Sequence, residues 1–139
     1  MKKDKMILFE DFSLKSEPIH AEIATKSLHI IIQFQMFHWQ SISYKEHTIF
    51  DNFIDEFKEK ADLLVEVISG AYGRIVLPID LNIPLRNYTE LDPSGFIDQA
   101  IDIYTVYKEN AVKNSPEIIS IIDDILALFY QTKYLLSFN

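Results

Sequence analysis

The sequence predicts an all-α, four-helix bundle with a long crossover between the second and third helices. Two stretches, 19–40 and 45–69, run without a glycine or proline and repeat apolar residues at three- and four-residue steps. Pro78, Pro84 and Pro93 then punctuate a segment in which no helical period survives. Two further periodic stretches follow, 94–112 and 116–136, each preceded or opened by proline. The 139 residues are 48% hydrophobic and 24% charged, which fits one domain over 1–139 built on one core.

Taken in order, residues 1–16 read as an irregular N-terminal arm. Ser16-Glu17-Pro18 offers a cap, a first-turn acid and a proline at a helix start. The first helix is carried by Ile19, Ile23, Ile30, Ile31, Phe34 and Phe37, and its His20 and His29 read as surface or boundary residues. A short link, Ser41–Tyr44, leads to the second helix. Phe50, Phe53, Ile54, Phe57, Ala61, Leu64 and Ile68 form its apolar face, and Gly70 or Gly73 ends it. Residues 74–93 read as an extended crossover, long enough to travel the length of a bundle. Asp92-Pro93-Ser94 opens the third helix. Asn114-Ser115-Pro116-Glu117 makes a sharp turn into the fourth, carried by Ile118, Ile122, Ile125, Phe129 and Leu136. Tyr104, Tyr107, Tyr130 and Tyr134 read as core packing, and Trp39 as a core or interface residue. One long connection between the second and third helices is the ferritin-like topology. An up-down-up-down bundle with short loops would not need it.

Composition excludes several chemistries. There is no cysteine, so disulfide scaffolds, zinc fingers, thiol enzymes and iron–sulfur sites are out. Three glycines leave no phosphate-cradling loop, and no GxSxG elbow supports a hydrolase. The formal charge of −8 disfavours DNA binding through the folded body. No stretch has the length of a membrane span or a secretory leader, which predicts a cytoplasmic protein away from membranes.

The chemistry-bearing residues are His38, His47, Asp51, Asp62 and Glu66. With about 100° per helical residue and Asp51 at zero, His47 falls near −40°, Asp62 near +20° and Glu66 near +60°. They share one stripe of the second helix. Asp51 and Asp62 are nonetheless about 16 Å apart along the axis, too far for one ion. Two antiparallel copies remove the difficulty. His47 and Glu66 lie equally far from a point between Glu56 and Phe57, and so do Asp51 and Asp62. A two-fold axis there sets His47 against Glu66 of a second copy and Asp51 against Asp62, while Asp55 meets Lys58. Two identical sites result, and His38 would add a nitrogen ligand to each. Imidazoles with carboxylates suit iron, zinc or manganese. The alternative is a solvated polar face on an amphipathic helix. A lone Glu17-x-x-His20 does not make the repeated pair of a single-chain di-iron bundle.

His38-Trp39 at the end of a first helix, followed by His47-x3-Asp51-x10-Asp62-x3-Glu66 on the second, resembles the mini-ferritins of the Dps family. The resemblance extends more weakly over all four helices. It implies ferrous iron oxidation by peroxide or oxygen at ferroxidase centres shared across a dimer. His47, Asp51, Asp62 and Glu66 would be the catalytic ligands, with His38 as a further one. It also implies storage of ferric mineral inside a homo-oligomeric shell, a dodecamer in that family. Phe37–Gln40, Ser43–Tyr44, His47 and Tyr72–Arg74 resemble an uncharacterised Dps-related group of phage genomes. The link between His38 and His47 is shorter than the family's, which predicts that His38 is the weakest ligand. Lys2, Lys3 and Lys5 are diluted by Asp4, so the DNA binding of some family members is not expected. The competing reading is a non-enzymatic four-helix oligomer with a structural or accessory, even viral, role.

Overall fold

A computed structural model describes residues 18–78, 80–112 and 114–139. The arm expected over 1–16, with Ser16 and Glu17, lies outside them. The described residues form four α-helices and no strand. They are α1 (Pro18–Gln40), α2 (Tyr44–Tyr72), α3 (Pro93–Val106) and α4 (Pro116–Leu136).

Local chemistry sets the ends. Ser43 caps α2 by accepting from the Glu46 N–H at 3.1 Å. At the other end Gly73 takes a positive φ of 103° and returns its N–H to the Ser69 carbonyl. A side chain resists that backbone, so Gly73 and not Gly70 ends the helix. Asp92 caps α3 through the Gly95 N–H at 2.9 Å. The third helix was expected to run regularly to 112. Instead α3 ends at Val106 and widens into a π-helical turn, Tyr107–Ala111. Ser115 caps α4 with its backbone only, because its hydroxyl is 2.8 Å from the Tyr72 hydroxyl.

The core is aromatic along the bundle axis. Phe34, Phe37 and Phe50 pack near one end with Phe96, while Phe53, Phe57, Tyr104 and Phe129 continue it. Tyr104 is fully buried and donates to Ser27 at 2.8 Å, and Ser27 in turn donates to the Ile23 carbonyl. Burial pushes the ionisation of Tyr104 far up. Tyr107 closes the opposite end on Glu22 at 2.9 Å.

Two sequence readings need correction and a third is narrowed. His20 is not a boundary residue: it is fully buried, with its ring 4.5 Å from that of Tyr72. Tyr130 and Tyr134 are exposed, because Phe129 and Thr132 take the inward face of α4. Of the two places read for Trp39, core or interface, the core is excluded, since the residue is 74% exposed.

The crossover lies along α1. Val76, Leu77, Pro78 and Leu81 line a groove with Pro18, Ala21 and Thr25 at the start of α1. Further on, the buried Gln33 amide holds Arg86 from both sides, accepting from its N–H at 2.9 Å and donating to its carbonyl at 2.8 Å. Finally Gln40 accepts from the Tyr88 N–H at 2.7 Å. Tyr88 thus lies at the end of the bundle where α1 stops and α2 starts.

Candidate functional site

That end carries the two histidines. The three-residue link Ser41–Ser43 turns the chain so tightly that the rings of His38 and His47 stack, with centroids 3.9 Å apart and planes 23° apart. The short link brings the ring of His38 onto that of His47. Each ring also bonds the backbone of the other residue. His38 Nδ1 lies 3.0 Å from the His47 carbonyl, and His47 Nδ1 lies 3.2 Å from the His38 carbonyl. A carbonyl only accepts, so both Nδ1 atoms carry hydrogen. In the neutral imidazoles both Nε2 atoms therefore present lone pairs. This tautomer, fixed by a carbonyl behind the ring, is the arrangement metal-binding histidines use.

Neighbouring bonds hold the pair in place. Ser41 donates to the His38 carbonyl at 2.9 Å, and its oxygen is 3.4 Å from His47 Nδ1. Tyr88, on the crossover, donates to Glu46 of α2 at 2.6 Å. Burial, followed by that carboxylate, raises the Tyr88 pKa to about 12. Gln40 reaches Asn87 at 2.9 Å as well as Tyr88. The ends of α1 and α2 are thus tied to each other and to the crossover.

His47, Asp51, Asp62 and Glu66 are all exposed on α2, and His38 is half-buried. One chain brings His38 and His47 together and leaves Asp62 and Glu66 near the other end of the helix. Among the described residues no three His, Asp or Glu side chains of one chain converge on a metal position. The stripe flanks an open groove of about 610 Å³ between α1 and α2, lined by Ala24, Leu28 and Ile31 on one side and Lys58, Asp62 and Val65 on the other. Sequence reasoning found the five polar residues. It missed the reciprocal imidazole–carbonyl bonds and the apolar groove beside them. The groove was signalled by Leu28, an apolar residue outside the predicted core face and 38% exposed.

No helix among the described residues is long and apolar enough to cross a membrane. A family described as a family of unknown function, DUF5856, matches residues 38–136. An uncharacterised 14.6 kDa protein of Enterobacteria phage T4, from the mobD-ri intergenic region, is 33% identical over 134 residues. That alignment covers 93% of this chain and 97% of the phage protein. No solved structure matches the chain.

Proposed function

The chain belongs to the DUF5856 family of unknown function, and for this member we propose the chemistry of a mini-ferritin on a ferritin-like bundle. Two copies pair antiparallel along α2 and bind ferrous iron, the substrate, at two equivalent sites. His38, His47 and Asp51 come from one copy, and Asp62 and Glu66 from the other. Two ferrous ions give up one electron each to one peroxide molecule, whose O–O bond breaks to leave two hydroxides. Carboxylates favour the ferric product, and imidazoles keep affinity for the ferrous ion. The observation that carries the reading is the stacked pair, whose two Nδ1 atoms are committed to carbonyls and whose Nε2 atoms are left to ligate. Exposure of all three carboxylates on the same flank supports it. Zinc and manganese suit the same donors. Further self-association into a closed shell, a dodecamer by resemblance, would hold the mineral.

Iron titration tests this. Purified chain loaded anaerobically with ferrous iron, then given peroxide, should develop ferric absorbance much faster than free iron. Glu66→Ala should slow it strongly. A rate equal to that of free iron overturns the reading.

A second reading rests on the lack of any three-ligand group among the described residues of one chain. In it the stripe is a solvated face of a non-enzymatic helical oligomer. Metal content after purification separates the two.

A further inference from the structure

At the far end of α2 from the histidines lies a second open notch, of about 590 Å³, lined by Val65, Ser69, Gly70, Arg74, Ile75 and Leu77. Gly70 is its odd residue. Glycine is the costliest residue in a helix interior after proline, and nothing among the described residues requires it here. Its φ is not positive, and a Cβ at this position would meet no atom within 4 Å. At the histidine end the reverse problem appears. Tyr44, the first residue of α2, is 84% exposed, and Ile42 before it is 98% exposed. One end presents a large aromatic ring to solvent, and the other lacks a side chain.

We propose that Tyr44 of one copy seats in the Ser69–Gly70–Arg74 notch of a second copy, twice per dimer, and so sets the register of the pair. The proposal rests on the antiparallel α2 pairing above. Tyr44 and Ser69 lie equally far from the point between Glu56 and Phe57, as His47 and Glu66 do. Both sit on the polar stripe, at about +20° and about 0° with Asp51 at zero. The stripe then reads Tyr44, His47, Asp51, Asp55, Lys58, Asp62, Glu66, Ser69, and it is symmetric about its centre in spacing. Size complements size at the ends, and Asp55 complements Lys58 at the axis. The missing side chain of Gly70 gives the ring room to approach the helix backbone. Arg74, exposed beside the notch, places a guanidinium within reach of the ring face. A one-turn slip would withdraw both rings and misplace every ligand, so the notch specifies the register on which shared sites depend.

The chain has no cysteine, which makes disulfide trapping clean. The two positions are about 38 Å apart within one helix, so any bond between them joins two chains. Under mild oxidation the Tyr44→Cys/Ser69→Cys variant should run as a covalent dimer, and a Tyr44→Cys/Gln99→Cys control should not. Gly70→Leu, which fills the notch, should weaken dimerisation at least tenfold by sedimentation velocity. Tyr44→Ala should do the same, and the double variant should be little worse than either. Gly70→Ala should melt no lower than the wild type, showing that substitution there leaves the fold intact. No link above the control, or a Gly70→Leu dimer as tight as the wild type, overturns the proposal. A chain that stays monomeric at every concentration overturns it together with the α2 pairing and passes the notch to another occupant. A wild type that dimerises but oxidises no iron, while the Tyr44→Cys/Ser69→Cys variant still cross-links, refutes the iron reading and leaves the notch standing.

Discussion

Adding a transition-metal ion to the apo protein should raise its melting temperature, and the size of the rise follows from the site. In the paired arrangement each site gathers Asp51, Asp62 and Glu66, three like charges that disfavour one another when no cation is present. A bound divalent ion relieves the repulsion and favours the folded, paired state by mass action. At free metal a hundredfold above its dissociation constant the gain is about 2.7 kcal/mol per site. A two-fold dimer with two sites has one site per chain. Unfolding entropy near 60 °C is about 2.1 cal/mol/K per residue, or about 0.3 kcal/mol/K for a chain of this length. The expected rise is therefore about 9 °C. Far-ultraviolet circular dichroism during heating reads it directly in this all-helical protein. Zinc or manganese, or ferrous iron under anaerobic conditions, should produce the rise at micromolar concentration. Magnesium at equal ionic strength should not, since it binds imidazole poorly and keeps its waters. Asp62→Asn with Glu66→Gln should abolish the response while leaving the apo protein as stable as before, or more so. Equal melting temperatures with every metal, or the same rise in the double variant, would refute the reasoning.

Other outcomes follow from individual contacts. His38→Ala and His47→Ala should each reduce metal affinity by a similar factor in calorimetric titration, because each removes one Nε2 donor and leaves the backbone carbonyl that holds the other ring's tautomer; a large difference would show that one ring does not ligate. Gln33→Leu strips two hydrogen bonds from Arg86 and should cost about 1–3 kcal/mol in urea denaturation, with faster hydrogen exchange at the Arg86 amide. Gly70→Ala should stabilise an isolated chain by up to about 1 kcal/mol, since the added Cβ meets nothing and the helix gains propensity. For Tyr88, folding raises the pKa from 10.0 to about 12. The neutral phenol is thus favoured when folded, its contribution is complete below pH 10, and it is lost as pH rises from 10 towards 12. Tyr88→Phe should flatten the alkaline limb of the stability curve in that window.

How much was legible in the sequence differs by feature. Helix positions were readable because Pro18, Pro93, Pro116 and Gly73 punctuate long periodic runs, and each acts through its own backbone. The π-helical turn after Val106 was not, since no residue in Tyr107–Ala111 breaks the helical pattern. Tyr130 and Tyr134 looked like core because they repeat at a helical step, as Tyr104 and Tyr107 do, but Phe129, about 100° from Tyr130 on the helix, takes the inward face. His20 was misplaced because its burial depends on Tyr72, fifty-two positions later. The same holds for Gln33, whose partner Arg86 lies on the crossover. In the candidate site, residue types and spacing were visible on α2 alone. The bond from each imidazole to the opposite carbonyl was not, because it is made by the path of the three-residue link rather than by any residue type.

The central claim is that two copies of the chain share a metal between the histidine end of one α2 and the acidic end of the other. Crystals grown with zinc or manganese and measured at the absorption edge of that metal test it most directly. The account places two anomalous peaks per dimer, related by a two-fold axis beside Glu56 and Phe57. Each peak should lie within bonding distance of His47 Nε2 from one copy and of Asp62 and Glu66 from the other. A dimer built on α3 and α4, or α2 pairs with no peak between His47 and the acidic pair of the second copy, would contradict it.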